Sequence, residues 1–234
     1  MNQKASDEKP TAERLIEVAG EIFAQKGLSA TVREICSAAN CSVAAINYYF
    51  GDKNQLYIRC IQTACEKKQK LFPFPQPESE MQQSDPAEVL QLFLRTITRR
   101  LLGESLQPWY NTLMLREVLA PSEGVAEMLQ EAFQRDFGLL HSTIGRLLGP
   151  ELDSPDLRAE FATQILSRCM FLRTGSNLRQ MLGLNIRKNE SPEEYANSIG
   201  TSILMQVDTL RHSLPERVRP KPTTNHDDSV VENK

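Results

Sequence analysis

Apolar residues recur at helical spacing from Thr11 to Leu214, and no stretch alternates in the manner of a β-strand or carries an Asn-Gly or Asp-Gly hairpin. The first periodic stretch, Thr11 to Lys26, places Leu15, Ile16, Ala19, Ile22 and Phe23 on one face. Thr11 is expected to cap its start, and Gly27 to end it in the left-handed conformation. Thr31 and Glu34 have capping-box spacing, which predicts a short helix from Val32 to about Ala39, with Asn40 turning the chain. Ser42 is expected to cap a third helix that runs through Tyr49 and stops at Gly51. Asp52 and Gln55 repeat the capping-box spacing and open a longer helix to about Lys70.

Pro73, Pro75 and Pro77 then interrupt a stretch without an apolar face, so residues 72–85 read as a linker or extended loop. Beyond it one device repeats: Asp85-Pro86, Ser154-Pro155 and Ser191-Pro192 each pair a capping residue with proline at the first helical position. The predicted helices are 86–102, 108–120, 123–148, 155–182 and 192–213, with Gly175 a weak point in the fourth of these. The polar tail, 215–234, is expected to be disordered. The fold class is all-α. Residues 1–52 form a three-helix domain containing a helix-turn-helix, 53–71 a connecting helix, and 86–214 a larger helical domain.

Residues 31–50 carry the chemistry. Two short helices joined by a tight turn make a helix-turn-helix, whose second helix enters the DNA major groove. Ile35, Ala39, Ile46 and Phe50 face the first helix and set the crossing angle. Ser42, Val43, Ala44, Asn47 and Tyr48 are left outside, where a small residue such as Ala44 permits close approach to bases. Asn47 and Tyr48 can donate to phosphate oxygens, and Lys53 can reach the backbone. Thr31 and the start of its helix present N–H groups to an anion. Against this stands an ordinary helical hairpin with its tyrosines in a core.

Composition narrows the alternatives. The net charge of −3 divides unevenly, with ten basic and eight acidic residues in 1–70 against seventeen and twenty-two in 71–234. A slightly basic first segment is compatible with DNA. No apolar run approaches the roughly 20 residues of a membrane span, and the first residues lack the apolar core of a signal peptide, so a cytoplasmic location is expected. Cys36, Cys41, Cys60, Cys65 and Cys169 form no Cys-x-x-Cys pair and read as small buried apolar residues, with redox sensing as the alternative. Cys60 and Cys65 do not share a helix face well, which argues against a metal sensor. His141, His212 and His226 are far apart, and no phosphate-binding Gly-rich loop or nucleophile motif occurs, so neither catalysis nor a cofactor is expected. A helical interaction scaffold remains the rival, but it has no need of the small outward face at Ser42 to Ala44.

The ordered run of a long amphipathic helix, a glycine, T-x-R-E-I and then S-V-A-A-I-N-Y-Y-F-G-D-K-x-x-L-Y resembles the TetR/AcrR family of bacterial regulators over residues 11–60. The Tyr-Tyr-Phe-Gly-x-Lys run and the Arg-Glu-x-Leu-x-Pro-Ser stretch at 116–122 are similar to its CecR-like subgroup. The resemblance implies a homodimer on a palindromic duplex operator, built on the last two long helices, and a repressor that a small-molecule effector releases. Activating and ligand-independent regulators stay open. By resemblance, Thr31, Ser42, Asn47, Tyr48 and Lys53 contact phosphates, Val43 and Ala44 approach bases, and Arg33 is a further DNA contact. Val43 and Asn47 depart from the commoner family residues, so base hydrogen bonds from this helix are expected to be few, with Val43 packing on a thymine methyl.

For the effector, Phe93, Trp109, Met114, Met128, Phe133, Phe137, Phe161 and Met170 are candidate pocket residues. Arg116, Glu117, Arg168 and Arg173 interrupt apolar stretches and read as solvated. Tyr195, Ile199, Ile203 and Val207 form a stripe on the last helix that suits a two-fold interface, or else burial within one subunit.

Overall fold

A computed structural model describes residues 11–74, 78–102, 107–183 and 191–214, without the side chains of residues 11, 78 and 172–179. The expected tail at 215–234, His226, the side chain of Arg173 and the Thr11 cap therefore lie outside the described features. Among the described residues all regular structure is helical.

The head consists of α1 (Thr11–Lys26), a short 3₁₀ turn (Gly27–Ser29), α2 (Val32–Ala39) and α3 (Val43–Phe50). Its punctuation follows the side chains. Gly27 takes φ +60°, and Asn40 takes φ 49°, the left-handed turn between α2 and α3. The Thr31–Glu34 capping box is complete. Ser42 does stand at the N-cap of α3, but its hydroxyl makes no capping bond. Asp52 caps α4 (Lys53–Leu71) by accepting from Gln55 N at 2.8 Å, without the reciprocal half of a capping box. Leu15, Ala19, Phe23, Ile35, Ala39 and Ile46 close the head core, with Phe50 half-buried beside them.

The 72–85 segment is held at several points. It contains the short α5 (Glu78–Gln83), whose Met81 is fully buried. Phe74 stacks on Phe93, and Arg100 donates from Nε to the Phe72 carbonyl at 2.9 Å while lying over the Phe74 ring. Proline spacing hides this, because a few isolated anchors bind the segment and no repeating face does.

The body comprises α6 (Pro86–Leu102), α7 (Pro108–Leu119), α8 (Val125–Leu148), α9 (Pro155–Met181) and α10 (Pro192–Ser213). The proline-led starts appear as expected, and α9 runs through Gly175 as one helix. The apolar cores divide differently from the sequence at residue 86. Trp109, Tyr110, Leu113 and Met114 of α7, with Val125, belong to the same cluster as α1, α2 and α4. Met81, α6, the second half of α8, α9 and α10 form the other cluster. Helix α8 joins them, with Met128 and Phe133 on the first and Leu139 and Ile144 in the second.

On α10, Ile199 and Ile203 are 0% exposed, and Tyr195 and Val207 are also buried, in the core shared with α6. The stripe expected at a dimer interface is therefore internal. Gly200 makes its tight packing possible, because a Cβ there would meet the Gln91 amide of α6. The neighbouring surface remains open: Met205 is 65% exposed and borders a groove with Leu157, Gln164 and Leu210.

Candidate DNA interface and ligand cavity

Helix α3 presents the outward face that the spacing predicts. Ser42, Val43, Ala44 and Asn47 are exposed, Ile46 is buried, and Tyr48 is 82% exposed. A large ring left in solvent has no packing reason to be there, which favours a contact surface over a core role. Tyr49 is exposed too, packed edge-on against Tyr48 with ring centroids 5.0 Å apart. Sequence reading did not separate it from the core, yet its position one residue after Tyr48 extends the same edge of the helix.

The start of α2 is less available to an anion than the sequence implies. Glu34 turns back on it, accepting from Thr31 N at 2.8 Å and from Thr31 Oγ1 at 3.0 Å. Lys26 bonds the same carboxylate at 2.5 Å. These bonds, Lys26 foremost, bring the Glu34 carboxyl down to about 2. Thr31 N–H is thus occupied, and a phosphate would meet only the amides that follow it. Arg33 is exposed on the same helix.

Lys53 is the second departure. Its ammonium donates to the carbonyls of Leu28 at 2.5 Å and Ala30 at 3.1 Å. It therefore fastens the turn that leads into α2, and its remaining proton is what it can offer to phosphate. Tyr48→Phe is expected to weaken binding to every duplex with an unchanged salt slope. Lys53→Ala should lower the log–log salt slope by about 1, because only that change removes a cation. Titrations at two salt concentrations check both.

The body contains a cavity of about 160 Å³ where α4, α6, α7, α8 and α9 meet. Of the eight residues expected at a pocket, Phe93, Met114, Phe133, Phe137 and Met170 line it. Trp109, Met128 and Phe161 do not. Trp109 packs on α1, Met128 on the head core, and Phe161 in the second core at the edge of the α9–α10 groove. Aromatic and methionine content marks apolar burial without saying which side of a helix faces the void.

Polar groups line the cavity as well. Arg100 and Asp136 pair at 2.6 Å, each side chain 8% exposed. Desolvation pushes the Asp136 carboxyl up from its ordinary range, against the pull of Arg100. Asn111 donates from Nδ2 to the Leu101 carbonyl at 2.8 Å. Lys68 of α4 also borders the void and is buried.

Helix α7 separates the cavity from the head. Its Asn111, Met114, Leu115 and Val118 face the void. From its other side Trp109 lies against Gly20 of α1, where a Cβ would stand 2.6 Å from the indole, and its Nε1 donates to Glu17 at 3.1 Å. Arg116 donates to the Gln25 carbonyl at 3.1 Å. Glu117, expected on a solvated face, is buried and accepts from the Tyr57 hydroxyl of α4, from Ser122 N at 2.7 Å and from Ser122 Oγ at 3.0 Å. Burial and the carboxylate neighbour together raise the Tyr57 hydroxyl well above its ordinary value.

The five cysteines are unpaired; Cys36, Cys60, Cys65 and Cys169 are buried and Cys41 is half-buried. Burial raises the Cys65 thiol to about 11 and Cys169 to about 12. Among the described residues no group of three or more His, Cys, Asp or Glu is arranged to hold a metal ion, and no helix is long and apolar enough to cross a membrane.

Residues 15–60 match the family of bacterial regulatory proteins named tetR, and residues 86–198 match the C-terminal domain of the HTH-type transcriptional dual regulator CecR. The chain is a TetR-family regulator. A curated relative, the dual regulator CecR of Shigella flexneri, is 26% identical over 220 residues, spanning 87% of this chain and 92% of the relative. The fold agrees with that of the TetR-family regulator PfmR from Thermus thermophilus, at a TM-score of 0.59, 19% identity and coverage of 84% of this chain and 97% of that one. AibR, solved with isovaleryl coenzyme A and operator DNA, aligns at a TM-score of 0.60 with 14% identity, covering 82% of this chain and 97% of that one. This TetR-family chain is accordingly a DNA-binding transcriptional regulator, not an enzyme, and the tetR match covers its N-terminal helix-turn-helix.

Proposed function

We propose that this regulator is a dimeric repressor that a small molecule in the α4–α9 cavity releases from its operator. The observation that carries the reading is the position of α7. One side of that helix walls the cavity, and the other side is packed into the head core through Trp109 and Leu113. A guest that moves α7 must move the head, because Gly20 leaves no slack against the indole. Helix α4 gives a second path, since Cys65, Lys68 and Gln69 border the cavity while Leu56 and Tyr57 lie in the head core.

On the DNA side, Val43 and Ala44 face the bases and Asn47, Tyr48, Ser42, Thr31, Arg33 and Lys53 the phosphates, with Tyr49 added. The two heads of a dimer must match successive major grooves, about 34–36 Å apart or a multiple of that. A tilt of the head spoils that spacing. Ligand affinity must therefore differ between free and operator-bound protein, and by linkage each weakens the other by the same factor. Titrating an effector into both forms tests this, and equal affinities would eliminate the release mechanism.

For assembly the proposed face is the open α9–α10 groove around Met205, in place of the buried Ile199–Ile203 stripe. Met205→Glu should yield folded monomers at micromolar concentration by sedimentation. Ile203→Glu should instead unfold the body, since it buries a carboxylate without a partner at a cost of several kcal/mol. A dimeric Met205→Glu protein would place the interface elsewhere.

A further inference from the structure

The wall of the cavity holds one polar side-chain atom that the protein itself leaves unsatisfied. Asn111 is buried, and its orientation is fixed because only Nδ2 can donate to the Leu101 carbonyl, 2.8 Å away. Its Oδ1 is buried and has no hydrogen-bond partner. A buried amide oxygen without a donor is costly, and such an atom needs a reason.

The other polar groups of the wall are already engaged. Gln69 donates to the Ala132 carbonyl at 2.9 Å, Asp136 is held by Arg100 at 2.6 Å, and Lys68 has a partner of its own. The recognition element that remains is therefore an acceptor waiting for a donor. Around it stand the rings of Phe93, Phe133 and Phe137 and the thioethers of Met114 and Met170. Ring edges and polarisable sulfurs favour a flat aromatic guest. The volume, about 160 Å³, is close to that of an engineered apolar cavity of about 150 Å³ that binds benzene.

We propose that this cavity takes a neutral, single-ring aromatic molecule bearing a hydroxyl, whose O–H donates to Asn111 Oδ1. The inference rests on the reading of this cavity as the effector site and narrows it to a ligand class. A carboxylate in the same place would stand beside Asp136, whose charge Arg100 already matches.

The test uses phenol, toluene and benzoate as probes on the full-length chain. They share a ring and differ in having a neutral donor, no donor or a negative charge. Trp109 is the single tryptophan of the sequence and sits on α7, so its emission follows occupancy without DNA. Phenol should bind about tenfold or more tightly than toluene, the expected effect of pairing a buried acceptor, and benzoate more weakly than phenol. In Asn111→Leu, which removes the acceptor, phenol should lose its advantage over toluene. The ratio is taken within each protein, so a general loss of stability does not mimic the result. Should that variant not fold, the order of the three probes on the wild-type protein decides. Toluene binding as well as phenol, or benzoate binding better, overturns the ligand class while the cavity stands as a site. No saturable binding by any probe overturns both. Phenol binding that leaves operator affinity unchanged supports the class and removes the release mechanism.

Discussion

Arg100→Met is expected to destabilise the protein by about 3–5 kcal/mol, because it leaves the Asp136 carboxylate buried without its partner. That is a large share of the roughly 5–15 kcal/mol by which a domain is stable. The change also removes the bond to the Phe72 carbonyl and the cation over Phe74, so the segment before α5 should loosen as well. The deficit has a pH signature. Burial already raises Asp136 above its ordinary value of 3.8, and removing Arg100 raises it further. A carboxyl with a raised folded-state pKa binds its proton more tightly when folded, so its penalty is largest at neutral pH and fades as pH falls towards 3.8. Denaturant titrations of the variant at pH 7 and pH 5 should therefore show a smaller gap from wild type at the lower pH. The double variant Arg100→Met with Asp136→Leu should recover most of the loss, since it leaves no charge unpaired. A single variant as stable as wild type at pH 7 would mean that the pair is solvated in solution.

Trp109→Ala should cost about 3–5 kcal/mol, the range for truncating a buried tryptophan. Its distinguishing effect is on DNA. The indole fills the groove over Gly20, so its loss should uncouple the head from α7 and weaken operator binding even at temperatures where the body remains folded. Gly20→Ala examines the same contact from the other side. The added methyl gains helix propensity but collides with the ring, and the collision should dominate. Calorimetry and operator titration on both variants check the expectation. Full operator affinity in a folded Trp109→Ala protein would show that α7 does not position the head.

The head was legible in the sequence because its signals are local. Thr31 and Glu34, Asn40 and Gly51 each determine a turn or cap within a few residues, and the structure uses all four. The body's helix limits were legible for the same reason, through Asp85, Ser154 and Ser191 before their prolines. Partner choice was not. Tyr195, Ile199, Ile203 and Val207 form an apolar stripe whether α6 or a second subunit covers it, and only their burial in the core shared with α6 tells them apart. Trp109 and Met114 lie on one helix, yet one packs on α1 and the other lines the cavity. The internal bonds of Lys53 and the burial of Glu117 were not legible because their partners, Leu28 and Ala30 for one and Tyr57 for the other, are 23 to 60 positions away in the chain. No spacing rule reaches that far.

The sharing of α7 between head and body bears on how such regulators can be recombined. A fragment cut after Leu71 would contain every helix proposed to touch DNA, yet it would expose the surface of α1 that Trp109 and Leu113 cover. Grafting this reading head onto a foreign sensor would therefore require transplanting α7 along with it, or redesigning the contact at Gly20. Substitutions on α1 and α7 cannot drift independently, and new operator preferences are more freely acquired on the exposed edge of α3, which no other helix constrains.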